Sequence, residues 1–231
     1  MPLNDAVARW CPTLDPAYGT TTLTDLIGGV GNFSLPSNSY WGTSGSFKHL
    51  NWSVDWSTSR SPGPASMQSS AASFTFSHWM NRTAGIPWAS LRSSQSDWWG
   101  WYSNRSVRAN DFSGSFASSG ASLPNSTWGH VVLRQVAGSH VIYSVNGVHG
   151  SPSTSLSNLT GFTDFRLCLG ASQRSGATDN YFRGQQDDFI VYSRALTDDE
   201  VVALYGRGRG GSLANVLTSR RRRATMGAGI L

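Results

Sequence analysis

Short runs that alternate apolar and polar positions recur along the chain, cut by Gly, Pro, Asn and Ser. "SFTFSHWM" (73–80), "DWWGWYS" (97–103), "GHVVLRQV" (129–136), "HVIYSV" (140–145), "DFRLCLG" (164–170) and "DDFIVYS" (187–193) each have strand length, and a period of two predicts β-strands. In "FRLCLG", Phe165, Leu167 and Leu169 share one face while Arg166 and Cys168 share the other, so one side of that strand meets a core. Asn146-Gly147 supplies the two positive φ values of a type I′ turn and predicts a hairpin over 140–149. "TSRSPGPASMQSS" (58–70) predicts a loop.

One segment has a different period. In "LTDDEVVALYGRG", Thr197 is placed to cap a helix and Glu200, three residues on, to answer it. Acids fill the first turn, Val201, Leu204 and Tyr205 share a face, and Gly206 marks the stop. The pattern as a whole predicts an all-β fold, a two-sheet antiparallel sandwich with one short helix near its end.

Composition agrees with this. Only 13% of the 231 residues are charged, Lys48 is the only lysine and Glu200 the only glutamate, which excludes a helical bundle. The formal charge of +5 is unevenly placed. Residues 207–231 hold Arg207, Arg209 and Arg220 to Arg223 with no acid, leaving 12 basic against 13 acidic residues in 1–206, a net of −1. A neutral body, residues 1–206, therefore precedes an extended basic Gly/Arg-rich arm, residues 207–231. Asp5, Arg9 and Asp15 interrupt the stretch where a signal peptide would be apolar, and no run reaches membrane-spanning length. Cys11 and Cys168 read either as two half-buried thiols or as one bridge. His49, His78, His130, His140 and His149 are scattered without metal-ligand spacing.

Several pieces resemble LamG-like domains of the concanavalin A-like lectin and glucanase superfamily, in family order. They are "SFTFSHWM", "TWGHVVLRQVAGSHVIYSVNGV", "LCLGAS" and the long "YFRGQQDDFIVYSRALTDDEVVALY". The likeness is good over 71–206. It is looser over 5–70, where "ARWCPTLD" and "GNFSLPSNSYW" fit the opening strands, and it ends at Gly206. The resemblance implies a jelly roll and three kinds of chemistry.

The first is glycoside hydrolysis. Laminarinase-type members carry a Glu-x-Asp-x-x-Glu run on one strand, and such hydrolysis typically needs two facing carboxylates. The single glutamate sits in a helix cap, and Asp187-Asp188, by alternation, point to opposite faces. The chain is expected not to be an enzyme. The second is calcium, for which the resemblance points to Asp187; hydrogen bonding of Asp187 to loop amides is the alternative. The third is glycan binding. In "SDWWGWYSNR", Trp99 and Trp101 share one face and Trp98 and Tyr102 the other, so one pair is core and the other can stack on a sugar beside Asn104 and Arg105.

The arm has docking chemistry. Leu213, Val216 and Leu217 offer an apolar anchor, Arg220, Arg221, Arg222 and Arg223 can pair with carboxylates, and Ile230 and Leu231 can fill a pocket. Its expected partners are other protein subunits of a large assembly. Nucleic acid ranks second, since it leaves the apolar end without a purpose. Jelly rolls of this superfamily recur on phage particles, so the expected role is a non-enzymatic display protein on a virion surface, with a carbohydrate-binding, lectin-like module as the alternative.

Overall fold

The structure of the chain is a computed structural model. It describes residues 5–52, 58–60, 73–84, 88–91, 98–103, 106–109, 116–118, 121–154, 166–169, 172–174, 177–179 and 182–211. Of the strands at 58–60, 88–118, 166–168 and 172–179 the backbone alone is described.

In chain order the strands are β1 (Ala6–Trp10), β2 (Thr22–Leu23), β3 (Phe33–Ser34), β4 (Trp41–Ser44), β5 (Phe47–Trp52), β6 (Thr58–Arg60), β7 (Phe74–Ala84), β8 (Trp88–Leu91) and β9 (Trp98–Ser103). Then follow β10 (Ser106–Ala109), β11 (Phe116–Ser118), β12 (Trp128–Val136), β13 (His140–Val145), β14 (Val148–His149), β15 (Arg166–Leu169), β16 (Ser172–Arg174), β17 (Ala177–Asp179), β18 (Arg183–Tyr192) and the helix α1 (Asp198–Arg207). An eight-stranded antiparallel sheet runs β14-β13-β12-β7-β18-β5-β4, with β1 also paired to β18. A six-stranded antiparallel sheet runs β11-β10-β9-β8-β15-β6. These two layers and α1 are the jelly-roll sandwich that the strand pattern and the resemblance predicted. Among the described residues no helix is long and apolar enough to cross a membrane.

The core lies on one face of the large sheet. Trp10, Leu50, Trp52, Phe74, Phe76, Met80, Leu133, Tyr143, Phe189 and Val191 are buried there, with the Trp10 and Phe33 rings edge to face at 4.9 Å. Each buried large apolar side chain contributes about 1.5–3 kcal/mol. A smaller cluster, Ala6, Val132, Ile190, Tyr192, Leu196, Val201 and Leu204, lies on the other face, where α1 packs. The hairpin turn is as expected, with Asn146 at φ 51° and Gly147 at 77°. The capping box is complete: Thr197 Oγ1 accepts from the Glu200 amide, and Glu200 Oε2 from the Thr197 amide at 2.8 Å.

Five expectations need correction. The predicted loop at 58–70 contains β6, paired with β15. "GNFSLPSNSYW" yields the two residues of β3, a 3₁₀ turn over Asn38–Tyr40 and, at Trp41, the start of β4. Helix α1 runs through Gly206 to Arg207 and ends where Gly208 adopts φ 76°. Tyr205 is 38% exposed and stacks on Trp79 at 5.8 Å rather than entering the core. The first residues of the expected arm, 207–211, lie back on the sandwich, because Arg207 finds a buried carboxylate there.

Candidate functional site

The outer face of the large sheet, away from the main core, carries two polar assemblies. The first is an open cleft of about 300 Å³. Cross-strand register builds it: Gln185 on β18 is opposite Asn51 on β5 and Asn81 on β7, so three amides form a row across adjacent strands. Asn81 Nδ2 donates to Gln185 Oε1 at 3.2 Å. Thr83, Ser126, Arg183, Gly184 and Trp52 complete the lining. Its rim is pinned by Thr83 Oγ1 donating to the Arg183 carbonyl at 2.8 Å and Arg82 Nη1 donating to Asn125 Oδ1 at 2.9 Å. Gly184 sits at φ 142°, and a Cβ there would collide with the Asn81 carbonyl, so only glycine lets β18 lie this close. Arg183 is the one ionisable side chain of the lining, and no carboxylate lines it among the described residues. Such a surface can hydrogen-bond hydroxyl groups and lacks the acid pair that glycoside hydrolysis needs.

The second assembly is a buried charge cluster beneath residues 207–211. Asp188 is held between Arg9, whose Nε donates to Oδ1 at 2.7 Å, and Arg207, whose Nη2 reaches Oδ2 at 2.7 Å. Arg9 Nη2 also donates to the Gly211 carbonyl at 2.8 Å, as does Arg207 Nη1 at 2.6 Å. Burial opposes the charge on Asp188, but the Arg207 and Arg9 guanidiniums outweigh it and hold the carboxyl below the usual range. Among the described residues Asp187 makes no such ion pair. Burial and then the neighbouring Asp188 charge push its carboxyl up to about 7. It accepts from Thr13 Oγ1 at 2.8 Å and lies 3.7 Å from Cys11 Sγ. Cys11 is free and buried, and burial followed by the two carboxylates raises its thiol, so it stays protonated.

The two aspartates do not alternate as expected. Register slips between Asp187 and Ile190, and Asp188 adopts φ 53°. This bulge turns both carboxylates into one cluster. Nor do the residues around Asp187 fit calcium, which takes six to eight oxygen ligands. The carboxylate is met by a hydroxyl, a thiol and a backbone amide of Thr13, and Arg209 contributes positive charge nearby. No group of three or more His, Cys, Asp or Glu able to hold a metal occurs among the described residues. Glu200 is spent on the cap and on Arg194, whose Nη1 lies 2.7 Å from Oε2.

None of the other expected site residues is among the described lining of the cleft. Trp98, Trp99, Trp101 and Tyr102 lie on β9 in the six-stranded sheet, with side chains beyond what is described. Asn104 and Arg105 lie outside the described residues, as do Leu213, Val216, Leu217, Arg220 to Arg223, Ile230 and Leu231. Sequence reasoning missed Asn51, Asn81 and Gln185 because they come from three distant strands. The signal that could have found them is their shared outward phase beside the apolar positions of β5, β7 and β18.

A family model described as the concanavalin A-like lectin/glucanases superfamily matches residues 57–202. No curated protein sequence matches. Among solved structures, domain 4 of an extracellular arabinanase from Geobacillus stearothermophilus, in complex with arabinotriose, superposes with TM-score 0.66 at 16% identity, covering 87% of this chain and 98% of that one. A sialidase carbohydrate-binding module from Ruminococcus gnavus, bound to α2,3-sialyllactose, gives 0.53 at 16% identity over 68% of this chain and 93% of its own. The binding domain of botulinum neurotoxin serotype D/C gives 0.58 at 14% identity, with 89% of this chain against 53% of that one. What is shared at these identities is the fold.

Proposed function

The chain belongs to the concanavalin A-like lectin/glucanase superfamily, and from that premise we propose that it is a carbohydrate-binding, lectin-like module that binds a glycan without cleaving it. The observation that carries this reading is the open cleft with its row of Asn51, Gln185 and Asn81. Amides offer both donor and acceptor to vicinal hydroxyls, and they stay hydrated at little cost when the cleft is empty. The sugars held by the arabinanase domain and the sialidase module support it. That no carboxylate lines the cleft among the described residues fits binding rather than turnover.

The test is a glycan array followed by calorimetry on the hits, with the full chain. Asn81→Ala with Gln185→Ala is expected to weaken binding roughly tenfold, about 1.4 kcal/mol, while leaving the thermal midpoint nearly unchanged. The aromatic stretch of β9 is the rival location. If alanine at Trp98 and Tyr102, or at Trp99 and Trp101, abolishes binding and the amide variants do not, the cleft is the wrong site. An array with no retained glycan sinks the reading altogether. The display role expected from phage jelly rolls depends on an arm over 207–231, whose docking residues from Leu213 on lie outside the described residues, and it has no part in this reading.

A further inference from the structure

Residues 207–211 cross the outer face of the large sheet, and their two arginines are held very differently. Arg207 is locked by the Asp188 ion pair at 2.7 Å and by the Gly211 carbonyl. Arg209 lies on aromatic faces instead: its guanidinium carbon is 3.8 Å from the centroid of Trp128 and 4.5 Å from that of Phe47. Its Nη1 is buried without a hydrogen-bond partner among the described residues.

What Arg209 covers adjoins the cleft. Trp128 is the cross-strand partner of Asn81, so the register row that begins Asn51, Gln185, Asn81 continues into Trp128. Its indole reaches toward His49, with ring centroids 5.9 Å apart. His49 stands two residues before Asn51 on the same face of β5. The indole therefore borders the amide row. It is only half-buried even with Arg209 upon it. An indole face beside hydrogen-bonding amides is the arrangement that stacks on the C–H face of a sugar ring. A guanidinium stacks on the same face through its charge.

We propose that Trp128, with Phe47, is a second sugar subsite next to the cleft, and that Arg209 fills it until a longer saccharide displaces the guanidinium. This rests on the carbohydrate-binding reading and adds to it a ligand of at least two units, one in the cleft and one on the indole. Because Arg207 and Gly211 anchor the segment on either side, Arg209 can swing off the rings without unfolding the strap. Arg209 gives up stacking but no hydrogen bond of its Nη1 when it leaves, which makes it the movable one of the pair.

The experiment titrates the full chain, wild type and Arg209→Ala, with arabinose, arabinotriose, galactose and α2,3-sialyllactose, adding any array hit together with its terminal monosaccharide. Circular dichroism and the thermal midpoint confirm that each variant is folded. Arg209→Ala is expected to bind a longer saccharide about fivefold more tightly, the factor set by a lost cation–π competitor, with no gain for its monosaccharide. The double variant Arg209→Ala with Trp128→Ala is expected to lose that gain. Arg209→Lys is expected to fall between wild type and alanine. If wild type binds a saccharide and Arg209→Ala binds it equally or more weakly, the subsite is overturned while the carbohydrate reading stands. If the gain persists without Trp128, the indole is not the platform. If neither protein binds any sugar, both fall together.

Discussion

The two ends of one sheet face are built on opposite terms. At one end of the outer face of the large sheet, α1 and residues 207–211 cover Val132, Ile190, Tyr192 and the pair Arg9–Asp188. At the other end the same strands β7 and β18 stop at Asn81, Thr83, Arg183 and Gln185 and are left open. Apolar rings and unpaired charges cannot be left at a half-wet surface cheaply, so that end is roofed and its charges are matched. Neutral amides can stay hydrated, so theirs can remain a cleft. One face thus separates the part that holds the molecule together from the part free to meet a ligand.

The contrast breaks most sharply at Asp188. Asp188→Ala strands Arg9 and Arg207 in a buried site, and urea denaturation is expected to show a loss of about 3–5 kcal/mol. A loss below 1 kcal/mol would mean that the roof does not depend on its ion pair. Next comes Leu204→Ala, which opens a cavity beneath α1 in the smaller cluster. It is expected to cost about 3 kcal/mol by the same measurement. An unchanged midpoint would show that the helix is not packed as described.

A third, smaller effect reads through pH. The Asp187 carboxyl stands at about 7 in the folded protein against 3.8 for an ordinary aspartate. The folded state therefore holds this proton more tightly, and the group's contribution to stability is present below pH 4 and is lost as pH rises from about 4 to 7. His49, His78, His130 and His149 oppose it. Burial is the leading cause that lowers each of them, and for His130 the value falls to about 3. They favour folding above the ordinary histidine range and withdraw that stability as pH falls. Comparing wild type with Asp187→Asn cancels the histidines. The wild type's advantage is expected to shrink with rising pH by up to about 1.4 kcal/mol per unit, and parallel stability curves would show that Asp187 titrates normally. Smallest of all, Asn51→Ala or Gln185→Ala in the cleft is expected to change stability by less than about 1 kcal/mol. A larger loss would place those amides on the structural side of the divide.

The sequence spoke most clearly where neighbours along the chain decide the outcome. Asn146-Gly147 forces its turn and Thr197 with Glu200 closes its own cap, both within a few residues. The strands over 74–84, 128–136 and 140–145 were legible from their alternation. The bulge at Asp188 was not, because it is imposed by partners about 180 residues earlier and about 20 later. Arg207 and Arg209 read as a flexible basic lead for the same reason: nothing beside them in sequence says that a buried carboxylate and two aromatic rings wait for them. The cleft was hidden by another route, since its amides are ordinary outward positions until register lines them up.

The bond from Arg9 to the Gly211 carbonyl spans 202 positions of chain, and β1 closes on β18 over nearly the same interval. During synthesis β1, with Trp10 in it, is made about 180 residues before its partner β18. At roughly 5–20 residues per second, β1 waits on the order of ten seconds or longer with its apolar face uncovered. The sheet cannot be finished piecemeal, since its central strand β18 emerges after all the other strands of that sheet. Such non-local closure makes folding slow relative to helical proteins of this size. The seam that joins the two ends of the described chain is thus also its timing element, and the interval before it shuts is when the nascent protein is most exposed to aggregation.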